Sequence, residues 1–367
     1  MESVFSNFFS AVSGVCGHEA TLHANFMHQL LRAGVPGPCI EREHPIGDKR
    51  VDLVVSAVCH HGTWSASDEV AMAFEFKGGA YNVRNALSDE IGADGYCADL
   101  DKLAPLAVLG VECWFVCTDM AELGIALSSA ATLRVAAQCA RRKIHFAYHA
   151  QGDAHCLIAR AGTKPVRVPL THPAPATPAT SSWRDCLPRL APLLRQARFT
   201  EDTATGFVYH ALQQVGLGAT QLSLETYFRC ATGVGRMQKR PDICVFDNRV
   251  AGRFNLYRGG DRTRSNDGIK IGNLRALIEI KGSNGASRAS AQSFASQIAA
   301  DIDKLSQWRD RFSASGYLPG GSSAVHPDYV MIAFDNRKVP LAAAALDELR
   351  AHAGRHAVDF HYMRIAP

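Results

Sequence analysis

The chain has 367 residues, 47% of them hydrophobic, and a formal net charge of +4; it is longer than one ordinary domain and apolar enough for two packed cores. The first 19 residues contain Glu2, no basic leader and no long apolar run, and nothing later approaches the roughly 18 uninterrupted apolar residues of a membrane span. A secreted or membrane-anchored protein is therefore not expected, and a cytoplasmic location is.

A first helix is predicted over Glu19 to Ala33, where Leu22, Phe26, Leu30 and Leu31 fall near helical spacing, with Gly34 as its stop. A strand with Glu41 and Glu43 follows, then Val51-Asp-Leu-Val-Val55, then a strand from Ala71 to Gly79 carrying Glu75-Phe76-Lys77. The segment Ala98-Asp-Leu-Asp-Lys-Leu103 ends a helix. It is succeeded by an apolar strand (Glu112 to Thr118), an Ala/Leu-rich helix (Leu123 to Ala140) and a closing strand (Ile144 to His149). From residue 164 to 182 the composition turns to Pro, Thr and Ala, which packs no core and reads as a linker. The expected domains are thus 1–163 and 183–367.

Beyond the linker the same order is read again. A helix from Glu201 to Val215 stops at Gly216, and a strand with Glu225, the segment Pro241-Asp-Ile-Cys-Val-Phe246 and the strand Ala276 to Ser283 with Glu279-Ile280-Lys281 follow. Then come Ala300-Asp-Ile-Asp-Lys-Leu305, a strand (Tyr329 to Phe334), a helix (Leu341 to Ala353) and a closing strand (Val358 to Met363). This alternation predicts an α/β fold in each half, a central mixed β-sheet flanked by helices.

The charge is unevenly divided. Residues 1–163 carry 12 basic against 18 acidic side chains, and residues 164–367 carry 27 against 17. The basic half is expected to meet a polyanion, nucleic acid above all, and the acidic half offers a surface for a protein partner; a merely solvated basic surface is the alternative. The halves differ most between the second and third strands, where the second has an insertion, 247–273, holding Arg249, Arg253, Arg258, Arg262, Arg264 and Lys270. With Lys239 and Arg240 just before it, this stretch reads as a phosphate clamp, with Phe254 and Tyr257 available for stacking on bases, or else as a plain surface insertion.

In Glu75-Phe76-Lys77 and Glu279-Ile280-Lys281 the charged residues are two apart on a strand and share a face, while the residue between them enters the opposite face. With Asp52 or Asp242 on the neighbouring strand, this makes a cluster suited to Mg²⁺ or Mn²⁺. Such a cluster supports in-line hydrolysis of a phosphodiester, with the ammonium orienting water or stabilising charge. Glu19, Glu201, Glu41, Glu43 and Glu225 are auxiliary ligand candidates; for Glu41 and Glu43 a solvated strand face is the alternative. Gly78, Gly79 and Gly282 are expected to leave room for a nucleic-acid backbone. The eleven cysteines are scattered without C-x-x-C spacing and read as reduced thiols. No phosphate loop of the G-x-x-x-x-G-K-[ST] type is present, so no ATP-binding function is expected.

Together these motifs resemble the PD-(D/E)XK nuclease superfamily, whose core is a helix, three strands, a helix and a further strand. The second half matches the signature literally, Pro241-Asp242 then Glu279-Ile280-Lys281, and the first has Val51-Asp52 in place of Pro-Asp. The resemblance covers nearly all of both halves. It implies two tandem restriction-endonuclease-like domains, metal held by Asp52, Glu75, Asp242 and Glu279, and catalytic assistance from Lys77 and Lys281. It also implies phosphate contacts by polar residues of the following helix, Lys102, Lys304, Gln292 or Gln297; a helix surface is the alternative for each. The expected activity is a Mg²⁺-dependent endo- or exodeoxyribonuclease of restriction, antiviral defence or mobile-element processing. The alternatives are a non-cleaving nucleic-acid-binding or scaffold protein and an RNA-directed nuclease.

Overall fold

Buried apolar residues, among them Val, Leu, Ile and Phe, dominate the central strands because each sheet is covered on both faces, so alternate side chains find apolar partners. A computed structural model describes residues 1–13, 19–58, 69–78, 96–119, 130–150, 152–171, 182–195, 200–226, 240–246, 274–283, 290–314 and 326–365. They divide into two units, Met1–Thr177 and Pro178–Pro367.

The first unit contains α1 (Glu2–Val12), α2 (Glu19–Arg32), β1 (Ile40–Ile46), β2 (Lys49–Ser56), β3 (Val70–Gly78), α3 (Tyr96–Val108), β4 (Glu112–Asp119), α4 (Ala130–Arg141), β5 (His145–Ala150), β6 (His155–Ala159) and β7 (Val166–Pro169). Its seven strands are ordered as in the sequence; β3, β4 and β5 run parallel and every other neighbour pair is antiparallel. Phe5, Phe8, Phe26, Phe74 and Phe76 pack as an aromatic cluster between α1, α2 and the sheet. Leu100, Leu103, Val135, Phe115 and Phe146 belong to the other core, formed by α3, α4 and the sheet.

The second unit contains α5 (Leu187–Leu194), α6 (Glu201–Gln214), β8 (Leu222–Leu224), β9 (Ile243–Phe246), β10 (Leu274–Ser283), α7 (Ala291–Ala314), β11 (Asp328–Asp335), α8 (Ala343–Arg355) and β12 (Asp359–Arg364). Its sheet, β8-β9-β10-β11-β12, repeats the directions of β1 to β5. From the first turn of α2 to the end of the first strand the two units keep a constant separation of 182 positions (201 − 19, 216 − 34, 225 − 43). Gly34 and Gly216 both take positive φ, 90° and 96°, and the amides of Val35 and Leu217 each reach back five residues to a helix carbonyl. That is the left-handed C-terminal cap that favours glycine.

Three features depart from the expectations. Helices α1 and α5 precede the predicted first helices and pack on them; their short apolar stripes (Phe5, Phe8, Phe9 and Val12; Leu190 and Leu194) are buried. The first sheet continues through β6 and β7, and β7 lies inside the stretch read as linker. Val166 and Val168 pair with β6, and Pro169 is tolerated because β7 is the edge strand, where a missing amide donor costs no ladder bond. Finally, among the described residues Cys39 is disulfide-bonded, against the expectation of reduced thiols, whereas Cys97, Cys113, Cys117, Cys139, Cys156, Cys186 and Cys244 are free. Among the described residues no helix is long and apolar enough to cross a membrane.

Gly78 also has a different role from the one expected. A Cβ there would stand 2.1 Å from Leu22 Cδ1 and 3.0 Å from Thr118 Cγ2, so the missing side chain lets α2 dock on β3 rather than making room for a ligand. Leu22 is fully buried and has nowhere to retreat. Gly78→Ala should therefore destabilise the first unit by about 1–3 kcal/mol, the usual cost of overpacking, measured by urea denaturation.

Candidate active site

Strand register brings the acids together. Leu53 opposes Phe74 across β2 and β3, and Ile243 opposes Ile278 across β9 and β10, so one residue further along each pair Asp52 faces Glu75 and Asp242 faces Glu279. Directly opposed residues share a face of the sheet. In both units the Asp Oδ2 accepts a hydrogen bond from the amide between the Glu and the Lys: Phe76 N at 2.7 Å and Ile280 N at 2.6 Å. The first strand, or in the second unit the residue just after it, adds a third acid to the row. Glu43 lies opposite Asp52 and Glu225 opposite Asp242, and both glutamates have a left-handed backbone, φ 53° and 49°.

The helices supply the rest. Glu19, in the first turn of α2, accepts from Gly78 N at 3.3 Å, and Glu201, in the first turn of α6, accepts from Lys281 Nζ at 2.8 Å. From the helix after the motif, Lys102 reaches Glu75 Oε2 at 2.8 Å and Lys304 reaches Glu279 Oε2 at 2.7 Å. Asp99 is 2.9 Å from Lys77 Nζ, and Asp301 is 3.3 Å from Lys281 Nζ. Each unit thus holds two lysines and at least four carboxylates in one small volume, and Glu75 and Glu279 are almost fully buried.

Asp99 and Asp301 were not singled out from the sequence. Their signal was the repeated Ala-Asp-x-Asp-Lys-Leu block, in which the first Asp lies three before the Lys and so on the same helical face. His23 was also missed, although it stands one turn after Glu19. Its Nε2 is 3.5 Å from Asp52 Oδ2 and its Nδ1 is 3.9 Å from Glu43 Oε1, and Glu19, His23 and Asp52 offer three ligand atoms within 4.8 Å of one another.

Other candidates have different positions. Glu41 is buried and bonded to His44 Nδ1 at 2.7 Å, so the solvated strand face considered for it does not hold. Glu225 forms an ion pair with Arg240 at 2.6 Å, which engages a side chain expected to meet nucleic acid. Gln297 is exposed one turn before Asp301 on α7, and Gln292 borders a groove between α7 and α8. Lys239, Arg249, Arg253, Phe254, Tyr257, Arg258, Arg262, Arg264, Lys270 and Gly79 lie outside the described residues.

Crowding and burial reshape the protonation of these groups. Burial raises Glu75 to about 8, against the opposing pull of Lys102, and raises Glu19 to about 7 against Lys77. Burial raises Asp242 to about 7 despite Lys304. Asp52 and Glu279 are pushed well above the carboxylate range by burial and by their opposing acids, Glu75 and Asp242. For Lys77 burial works the other way, but Glu19 and Asp99 outweigh it and raise its pKa; Glu201 and Asp301 do the same for Lys281. Both lysines are therefore ammonium ions at neutral pH, donors rather than general bases.

Carboxyls whose folded pKa is raised retain protons that the unfolded chain has already released, so their contribution to stability is lost as pH rises. The window runs from the unfolded value, about 4, to the folded values of about 7 for Glu19 and Asp242 and about 8 for Glu75. Thermal denaturation in EDTA should show the melting temperature falling across that window, with a shallower slope in Glu75→Gln.

A divalent cation fits this arrangement. Glu279 Oε1 is buried with no hydrogen-bond partner, beside the directly opposed Asp242, and clustered carboxylate oxygens are the ligands that hard cations take. No protein-family model matches the sequence, and no curated protein or solved structure shows significant similarity to it.

Proposed function

We propose that the chain is a metal-dependent nuclease with two PD-(D/E)XK-type sites, acting on DNA by hydrolysing phosphodiester bonds. The observation that carries this reading is the recurrence of one constellation in two units. In each, Asp and Glu face each other across a strand pair, the Lys follows two residues on, and the Asp carboxylate is locked to the amide between Glu and Lys. The pairing survives a difference of 14 residues in the intervening chain (37 − 23), which argues for a shared purpose at this point.

Asp52 with Glu75, and Asp242 with Glu279, would hold Mg²⁺ or Mn²⁺; such an ion stabilises charge on the phosphate and lowers the pKa of a water. The protonated Lys77 and Lys281, held in place by Asp99 and Asp301, would donate hydrogen bonds to an attacking water or to the phosphate oxygens. Lys102 and Lys304 fix Oε2 of Glu75 and Glu279, while Oε1 of Glu75 accepts from Asp52 N at 3.3 Å and Oε1 of Glu279 has no hydrogen-bond partner. His23, whose position in the second unit is Thr205, adds an imidazole beside Asp52. This inclines the first site toward Mn²⁺, because Mg²⁺ prefers oxygen.

The test is degradation of linear, circular and single-stranded DNA and of RNA with Mg²⁺ or Mn²⁺ by wild type, Glu75→Ala, Glu279→Ala and the double variant. Loss in one single variant identifies the working unit, and partial losses with nicked circles mark a division of strands. Cleavage of RNA alone corrects the substrate. Salt-sensitive binding without cleavage by wild type sinks the enzyme reading in favour of a binding or scaffold protein.

A further inference from the structure

On the outer side of the second unit, α7 and α8 meet at a cluster that none of the chemistry above uses. His352 and His356 are four apart at the end of α8 and share a face. Both direct Nε2 at one carboxylate oxygen: Asp303 Oδ1 is 2.9 Å from His352 Nε2 and 3.6 Å from His356 Nε2. The side chains are partly open to solvent, 49% for Asp303, 23% for His352 and 32% for His356, so an ion can enter and leave.

We propose that Asp303, His352 and His356 form a transition-metal site, Zn²⁺ by its ligand chemistry, that clips α7 to α8. Two imidazole nitrogens and a carboxylate oxygen are a three-residue zinc set with water as fourth ligand, and ligands bound tetrahedrally at about 2.0–2.1 Å lie roughly 3.3 Å from one another. The observed separations of 2.9 and 3.6 Å bracket that value. The other ring nitrogens also have neighbours: His356 Nδ1 is 3.0 Å from the Ser306 hydroxyl, and the tautomer that donates Nδ1–H to it leaves Nε2 open to metal, while His352 Nδ1 is 3.4 Å from Arg355 Nη2, a contact that metal binding through Nε2 would weaken. Arg309 holds the His356 carbonyl and fixes the end of the helix.

The first unit provides an internal control. Asp303 immediately precedes Lys304 as Asp101 precedes Lys102, and His352 and His356 stand seven and three residues before the first residue of β12, as Gln138 and Arg142 stand before that of β5. There Arg142 donates to Asp101 at 3.3 Å and to Gln138 Oε1 at 3.2 Å. A guanidinium carries its own permanent charge and offers no lone pair to a metal. The helix–helix clip is thus present in both units, closed by an arginine in one and by two imidazoles around a carboxylate in the other. An external cation completes the second.

The experiment uses the full chain, stripped with EDTA and carrying Asp52→Asn and Asp242→Asn, so that the carboxylate rows contribute little. Titration with Zn²⁺, and with Co²⁺ followed by its tetrahedral visible absorption, is compared with the same protein bearing His352→Gln and His356→Arg. Those are the residues that the other unit uses at these positions and that restore a salt bridge, so folding, checked by circular dichroism, is preserved. The expected result is one Zn²⁺ per chain whose affinity falls by about 100-fold or more in the swapped protein, with loss of the Co²⁺ absorption and a like fall in Asp303→Asn. Unchanged Zn²⁺ affinity in the swapped protein, or no stoichiometric binding before the swap, overturns the proposal. Cleavage is not the readout, so the outcome is independent of the nuclease reading.

Discussion

Glu279→Gln is expected to lower cleavage by the second unit about 10²- to 10³-fold, the scale of removing one group that stabilises charge in a transition state, while leaving the metal-free protein close to wild type in stability. The asymmetry follows from protonation. Glu279 is buried, and burial and Asp242 raise its pKa well above the carboxylate range, so the metal-free fold disfavours its charged form and tolerates the neutral Gln. A bound divalent cation requires the carboxylate, and Gln cannot supply it. Single-turnover cleavage in a Glu75→Ala background isolates the second unit, and melting with and without Mg²⁺ separates the two effects. A ligand present at 100 times its dissociation constant contributes about 2.7 kcal/mol, and this increment should vanish in Glu279→Gln. A rate loss below about tenfold would remove Glu279 from the catalytic assignment.

The largest purely structural effect is expected at Asp335, at the C-terminal end of β11. Its fully buried carboxylate accepts from Arg337 Nε at 3.0 Å and Nη2 at 2.8 Å, Tyr362 Oη at 2.7 Å, Ser283 Oγ at 3.1 Å and Leu341 N at 3.2 Å. Burial alone would raise its pKa, but the bonds from Arg337 and Tyr362 outweigh it and hold the group down at about 2. Asp335→Ala should destabilise the second unit by about 3–5 kcal/mol, because it leaves the Arg337 guanidinium buried without its anion. Asp335→Asn should fall between. The folded pKa is depressed, so the contribution is present above the unfolded value of about 3.9 and is lost as pH falls toward about 2. Urea denaturation of wild type at pH 7 and pH 3 reads the pH term, and the variants at pH 7 read the whole.

Much of this architecture was legible in the order of residues. Helical spacing and the closing glycines marked α2 and α6 to within a residue or two, and alternation of strands and helices predicted two mixed sheets. These signals are local: amphipathic period and a glycine's left-handed φ are properties of a few neighbouring residues. The repeat mattered more than any motif within it, since Glu-x-Lys alone is common but its double occurrence with Asp-Lys-Leu downstream is not.

What remained hidden depends on contacts between segments distant in the chain. The motif predicts that Asp52 and Asp242 join their glutamates, but no spacing gives the register, with 22 residues between them in one case and 36 in the other; strand pairing sets it identically in both. Lys102 and Lys304, candidates for phosphate contact or for a plain helix surface, lie on Glu75 and Glu279, because a buried acidic group draws the nearest cation on the helix that covers it. Gly78 looked like space for a ligand until α2 was seen to fill it with Leu22. The sequence alone determines which elements form and how their apolar faces are spaced. Register and helix docking, paid for by burial of those faces, decide which charges share a site, because electrostatic partners are chosen by distance in space and not by position in the chain.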